Sequence, residues 1–124
     1  MIRAVNDATP YRVQFSDGRH SAYADTTQDK GGGESGFRPH ELLEAALATC
    51  MNMVATAYAS KHSIPLVRVV TEVSLDRSGS EQALFKYAVE LTGDLTVEQR
   101  EAIMAAVRAC PVRKTLSRHV SFSD

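Results

Sequence analysis

The sequence contains 124 residues with a formal net charge of −1, and aromatic residues make up 6% of the chain, with no Trp. A chain of this length buries a single core of ordinary size, so we expect one domain that covers residues 1–124. The near-neutral charge lacks the basic excess of nucleic-acid binders, and we therefore expect no nucleic-acid partner.

A β-hairpin is the first predicted element. Residues 11–15 alternate apolar and polar side chains, the turn dipeptide Asp17-Gly18 follows, and residues 20–24 can return as the second strand. Residues 26–36 are polar and rich in Gly, which predicts a flexible loop. The run from Gly31 to Gly36 matches the spacing of a dinucleotide fingerprint, but it neither directly follows a strand nor opens a helix, so we expect no dinucleotide there.

A long apolar helix is predicted over residues 40–60, opened by Pro39 where the missing backbone N–H costs least. Its residues are apolar on nearly every side, so we expect a central helix that is covered on most sides. Polar residues such as Glu44 and Thr49 interrupt it, which favours a core helix over a membrane span. Met51 and Met53 are accordingly interpreted as core residues.

Two alternating strands and two helices are predicted for the second half of the chain. Residues 68–77 and 84–91 form an antiparallel pair, and Thr96 with Gln99 predicts a capping box. The helix that follows must end near Cys110, because Pro111 disfavours helical geometry in the residue before it. A short helix over residues 111–117 and an extended segment over residues 119–123 complete an α+β domain.

Two cysteines, Cys50 and Cys110, carry the chemistry that the sequence suggests. The first seven residues lack the apolar run of a signal peptide, so we expect a cytoplasmic protein. Permanent structural disulfides are unusual in the reducing cytosol. The two thiols are therefore either inert core residues or a redox pair.

Cys50 lies on an apolar helix face, where an inert core cysteine is the default interpretation, because apolar burial disfavours the reactive thiolate. Reactivity would require a nearby cation. Four candidates lie upstream, and the sequence does not distinguish among them: Arg19, Lys30, Arg38 and His40.

Cys110 lies where one helix stops and another begins at Pro111. Backbone N–H groups at a helix start favour a nearby anion, and Arg113 and Lys114 follow on the same side. An indifferent cap with solvated charges is an equally supported interpretation. The basic residues of this region are interpreted as a solvated surface: Arg108, Arg113, Lys114 and Arg118.

Together the two thiols suggest peroxidase chemistry. A thiolate attacks a peroxide oxygen to give a sulfenic acid, and a second thiol condenses with it to form a disulfide that an external dithiol reduces. The apolar surroundings of Cys50 fit an organic hydroperoxide better than hydrogen peroxide. We expect no cofactor. We also predict no metal, because the four histidines show no ligand spacing with the cysteines: His20, His40, His62 and His119.

The chain resembles the OsmC/Ohr superfamily of organic hydroperoxide reductases. The resemblance is carried by residues 36–50, which end at Cys50, and by residues 93–100 followed by residues 110–116, which begin at Cys110. It covers nearly the whole chain. It implies an α+β fold with antiparallel sheets packed around a long central helix, and an intertwined homodimer with sites at the subunit interface.

The resemblance also implies site roles. Cys50 would be the peroxidatic thiol, Cys110 the resolving thiol, and the reductant an external dithiol such as a lipoyl protein. The well-studied hydroperoxide reductases carry a glutamate ten residues before the peroxidatic cysteine, where it orients an activating arginine. Here that position is His40 and the acid is Glu41, a step that rotates a helical side chain by about 100°. Arg38 is the candidate substitute cation, with Glu41 beside it.

The resulting hypothesis is a thiol-dependent peroxidase that reduces organic hydroperoxides through a Cys50 sulfenic acid and a Cys50–Cys110 disulfide. The alternative is a non-enzymatic OsmC-like protein that binds an apolar or thiol-reactive small molecule in a redox or stress response. A purely structural dimer module is a third possibility.

Overall fold

The computed structural model describes residues 1–124 and contains five strands and three α-helices. In chain order the elements are β1 (Arg3–Asn6), β2 (Val13–Ser16), β3 (Ser21–Ala24), a 3₁₀ turn (Gln28–Lys30), α1 (Pro39–Lys61), β4 (Leu66–Asp76), β5 (Leu84–Gly93), α2 (Val97–Arg108) and α3 (Pro111–Leu116). The predicted α+β class is confirmed. The chain divides into two compact units, Met1–Leu43 and Glu44–Asp124.

The first unit contains a three-stranded antiparallel sheet in the order β1-β2-β3. The predicted hairpin is present, with Phe15 opposite Ala22 and a turn at Gly18, whose φ of 95° suits glycine. Strand β1 was not predicted. Its four residues are all exposed, and they are held by backbone pairing to β2, with Ala4 opposite Phe15.

The loop after β3 is organised around a buried carboxylate that the sequence analysis did not anticipate. Asp25 is 2% exposed and accepts hydrogen bonds from the backbone N–H groups of Thr26, Gly33 and Ser35. The Ser35 hydroxyl also donates to it at 2.6 Å. These bonds, led by the one from the Ser35 hydroxyl, lower the pKa of Asp25 to about 2. The polar loop is thus tied to the end of β3.

The second unit contains a long β4–β5 hairpin and the main hydrophobic core. The strands pair antiparallel, with Val73 opposite Tyr87 and a shift of register between Leu66 and Arg68. The predicted capping box opens α2, where the backbone N–H of Gln99 donates to Thr96 Oγ1 at 3.1 Å and the backbone N–H of Thr96 donates to Gln99 Oε1 at 2.9 Å. One stripe of α1, residues of β5 and α2, and one cysteine form the buried core: Leu47, Met51, Ala55, Ala59, Leu91, Ile103, Val107 and Cys110.

Helix α1 buries only one side within this chain. Its fully buried residues recur every four positions from Leu47 to Ala59, whereas the side chain of Met53 is 69% exposed. The expectations that α1 is covered on most sides and that Met53 is a core residue are therefore wrong for the single chain. Although α1 is long and apolar enough to cross a membrane by length and composition, its buried stripe packs into the core with β5 and α2.

Candidate functional site

Cys110 lies at the break between α2 and α3, as its sequence context predicted. Helix α2 ends at Arg108, and α3 starts at Pro111 with Cys110 as its N-cap. The Cys110 sulfur accepts a hydrogen bond from the backbone N–H of Arg113 at 3.4 Å. The side chain of Cys110 is fully buried, with 0% exposure. The Cys110 thiol is therefore the N-cap of α3 and is sealed from solvent.

Cys50 lies on α1 between two residues that tie the helix to β4. The amide of Asn52 donates to the carbonyl of Val69 at 3.0 Å, and the hydroxyl of Thr71 donates to the carbonyl of Ala48 at 2.9 Å. Cys50 itself is half-buried and packs against the core cluster that contains Cys110. The two tethers hold the helical turn of Cys50 against the sheet.

The structure brings the two predicted thiols together, and both are free. Burial raises the pKa of the Cys110 thiol above its usual value of 9.0, and the interaction with the Cys50 side chain raises it further. The hydrogen bond from the backbone N–H of Arg113 acts in the opposite direction, but burial outweighs it. The hydrogen bond at the helix start therefore favours the thiolate, which is one of the two interpretations that the sequence left open, while burial disfavours it.

The raised pKa of Cys110 predicts how the rate of disulfide formation depends on pH. A disulfide formed by attack of Cys110 on an oxidised Cys50 requires the Cys110 thiolate, whose fraction grows about tenfold per pH unit below the pKa. Because the pKa of Cys110 is raised above 9.0, the closure rate should still be rising at pH 9. Rapid-quench alkylation after oxidation at a series of pH values measures that rate. A plateau at neutral pH would contradict the expectation.

Arg38 and Glu41, the other two candidate residues, form an ion pair at the start of α1. The Arg38 Nε donates to Glu41 Oε1 at 2.6 Å, and the Arg38 backbone N–H donates to the same oxygen at 3.1 Å. The side-chain hydrogen bond from Arg38 is the main cause of the lowered pKa of Glu41. Together with Thr26, Thr27, Glu34 and Gly36, the pair lines a surface cavity of about 320 Å³ in the first unit.

Sequence analysis missed one contact close to Cys110. Arg113 is part-buried, and its Nη1 donates to the hydroxyl of Tyr87 at 3.0 Å. The interpretation of Arg113 as part of a solvated surface is therefore wrong. Twenty-six residues separate the two partners, so no local sequence pattern could have revealed the contact. No group of three or more His, Cys, Asp or Glu side chains is arranged to hold a metal ion.

The comparison with protein families assigns the chain to a class. The family model described as OsmC-like protein matches residues 31–123, three-quarters of the chain, and this range includes Arg38, Glu41 and both cysteines. The protein belongs to the OsmC-like family, which confirms the family resemblance. No match was found among functionally curated proteins.

Solved structures with the same fold include three bacterial proteins. The OsmC-like protein of Mycoplasma pneumoniae is 20% identical, with a TM-score of 0.78 over 94% of this chain and 85% of that one. The organic hydroperoxide resistance protein OsmC of Legionella pneumophila is 23% identical, with a TM-score of 0.64 over 94% and 88%. The organic hydroperoxide resistance protein OhrB of Bacillus subtilis is 23% identical, with a TM-score of 0.60 over 97% and 91%. These similarities confirm the OsmC-like fold.

Proposed function

We propose that this protein is a thiol-dependent peroxidase that reduces organic hydroperoxides. The observation that carries the proposal is the interacting pair of free thiols, one half-buried and one sealed, in a chain of the OsmC-like family. The printed names of the relatives from Legionella pneumophila and Bacillus subtilis support the choice of substrate, since both are organic hydroperoxide resistance proteins.

The reaction has three steps. The Cys50 thiolate attacks a peroxide oxygen, the O–O bond breaks, and the products are a Cys50 sulfenic acid and an alcohol. The Cys110 thiolate then attacks the sulfenic sulfur, which forms the Cys50–Cys110 disulfide and releases water. An external dithiol, such as a lipoyl group, reduces the disulfide and is itself oxidised to a disulfide.

The different exposure of the two thiols supports their different roles. Cys50 is half-buried, whereas Cys110 has 0% exposure and a raised pKa. A sealed and protonated thiol is a poor first nucleophile. Its interaction with the Cys50 side chain suits it to react second, after Cys50 has been oxidised.

Arg38 and Glu41 have supporting roles in the proposal. Arg38 is the proposed activating cation, and Glu41 is the carboxylate that orients it. The 2.6 Å contact between them supports this division, because the displaced carboxylate still holds an arginine. Glu41 would then replace the orienting glutamate of the hydroperoxide reductases, displaced by one position, and Arg38 would be a substitute for their activating arginine.

The working form of the protein in this proposal is a cytoplasmic homodimer in which residues 1–124 form one OsmC-like domain. The family match supports a single domain because it includes residues from both compact units. The exposed apolar residues of α1, such as Met53, support a dimer because a partner subunit could cover them.

The proposal is tested by treating the reduced protein with one equivalent of cumene hydroperoxide. Mass spectrometry should show the loss of two hydrogen atoms and a peptide pair linked through Cys50 and Cys110, the two cysteines of the chain. A slight molar excess of hydrogen peroxide provides the comparison, and we expect it to react more slowly. Two free thiols after treatment with cumene hydroperoxide would reject the mechanism.

A non-enzymatic binding protein for an apolar or thiol-reactive molecule is the second candidate. It is favoured by the position of the carboxylate, since Glu41 lies one residue beyond the position that the hydroperoxide reductases use. Such a protein should keep its affinity for an apolar ligand such as cumyl alcohol in the Cys50→Ser variant. The protein without the substitution should also show no catalytic turnover of peroxide. Calorimetric titration together with a peroxide-consumption assay separates the two candidates.

A further inference from the structure

We propose that Arg113 is a positioning residue that holds Cys110 in place for disulfide closure with Cys50. Its part in turnover rests on the proposed function, but its effect on closure can be measured without any peroxide. The inference starts from three hydrogen bonds that Arg113 donates around the α2–α3 junction, the short connection at Ala109 and Cys110.

Arg113 contacts Cys110, the last residue of α2 and a tyrosine of β5. Its backbone N–H donates to the Cys110 sulfur at 3.4 Å. Its Nη1 donates to the hydroxyl of Tyr87 on β5 at 3.0 Å and to the carbonyl of Arg108, the last residue of α2, at 3.1 Å. Its guanidinium carbon also lies 5.6 Å from the centre of the Tyr87 ring. One side chain thus links the end of α2 to the sheet.

The β4–β5 hairpin provides a common frame for the two thiols. Tyr87 lies opposite Val73 in the hairpin, so the Arg113 contact fixes the Cys110 junction to β5. The Thr71 hydroxyl, on the neighbouring strand, fixes the Cys50 turn of α1 to β4. The amide of Asn52 adds a second bond from the same helical turn to β4, so the position of one sulfur relative to the other depends on three polar tethers to the same pair of strands.

The rate at which the Cys50–Cys110 disulfide forms depends on the hydrogen bonds that hold Cys110 in place. The two sulfur atoms must approach to about 2.05 Å with a narrow range of dihedral angles, so freedom in either backbone lowers the fraction of productive encounters. Removing one hydrogen bond that holds Cys110 should slow closure by about two- to tenfold. The charge of Arg113 is not the cause in this proposal, so a lysine at the same position should not restore the rate.

The experiment uses dithiobis(nitrobenzoate), which reports two chemical steps by the release of coloured nitrothiobenzoate. The Cys50 thiolate attacks the reagent, forms a mixed disulfide and releases the first nitrothiobenzoate. The Cys110 thiolate then attacks the Cys50 sulfur, forms the Cys50–Cys110 disulfide and releases the second. The first release measures the accessibility of the half-buried thiol, and the second measures closure.

Two variants and one matched control decide the inference. Tyr87→Phe keeps the ring and removes the hydroxyl, and Arg113→Lys keeps the charge and removes the guanidinium. The control is Arg100→Lys, because Arg100 also ties α2 to β5, through the carbonyl of Leu91 at 2.8 Å, whereas the hydrogen bond to the Cys110 sulfur comes from Arg113. We expect the second release to slow by about two- to tenfold in the two variants and to be unchanged in the control, with the first release unchanged in all three.

An unchanged second release in both variants would overturn the inference. Equal slowing in the Arg100→Lys control, or an equal change in the first release, would overturn it as well, because either result indicates a general loss of packing. If the unmodified protein closes its disulfide in this assay but not with cumene hydroperoxide, the peroxidase proposal fails while the role of Arg113 stands. Tyr87→Phe keeps the test decisive even if the lysine variant folds poorly.

Discussion

Cys50→Ser should lower organic hydroperoxide turnover by at least about a thousandfold. A serine hydroxyl is a far weaker nucleophile than a thiolate toward peroxide oxygen and cannot form a sulfenic acid, so the first bond-making step is lost. The half-buried thiol of Cys50 has no substitute, because the only other thiol in the chain is sealed in the core. Consumption of cumene hydroperoxide in the presence of dihydrolipoamide measures the loss.

Cys110→Ser is the matched variant, and it should separate the two steps. The first turnover should proceed and leave a Cys50 sulfenic acid that dimedone traps, whereas no internal disulfide can form. Thermal melting of both variants controls for folding, since Cys110 belongs to the buried core. Dimedone labelling at position 110 in the Cys50→Ser variant would contradict the assigned roles, because it would mean that Cys110 is the thiol that attacks the peroxide.

The proposed roles of the two thiols, Cys50 attacking first and Cys110 second, depend on two opposing physical effects at Cys110. The N-cap position supplies a hydrogen bond from the Arg113 backbone N–H, which favours a thiolate, and full burial disfavours it. The sequence offered the first effect as one of two equally supported interpretations, through Pro111, but it could not reveal the second. Burial depends on the packing of α1, α2 and β5 around the sulfur, which no spacing of residues records.

Most elements of the fold were predictable because their local patterns are strong. The alternation in β4 and β5, the capping box of α2 and the proline-enforced break after α2 all occur in the structure. Strand β1 was missed because its four residues are exposed on both faces and show no apolar alternation. Its pairing with β2 depends on tertiary contacts, which a segment of four residues does not predict.

The candidate site was predictable only in part, for similar reasons. The motif around each cysteine and the pairing of Arg38 with Glu41 lie within short stretches of sequence. The contact between Arg113 and Tyr87 joins residues from separate elements, and the Asp25 network gathers donors from as far as ten residues away. The first contact depends on where α3 lies against β5, and the second depends on the path of the loop after β3. Sequence periodicity determines neither of them.

The largest expected effect on stability comes from a pair of methionines on α1 that the sequence could not tell apart. Met51 is fully buried and Met53 is 69% exposed, although both lie in the same apolar stretch of helix. Met51→Ala should lower the free energy of unfolding by about 2–5 kcal/mol, because it removes buried area and leaves a cavity in the core that contains Cys110. Met53→Ala is the control and should change the stability of the single chain by at most about 0.5 kcal/mol.

Urea unfolding at several protein concentrations measures both variants and also tests the proposed dimer. Equal losses at low concentration would contradict the packing of α1, since they would require Met53 to be buried as deeply as Met51. If a second subunit covers the exposed side of α1, the loss caused by Met53→Ala should grow as the protein concentration rises, because association then contributes to the stability of the folded state. The Met51→Ala loss should stay constant over the same range, since its cavity lies within one chain.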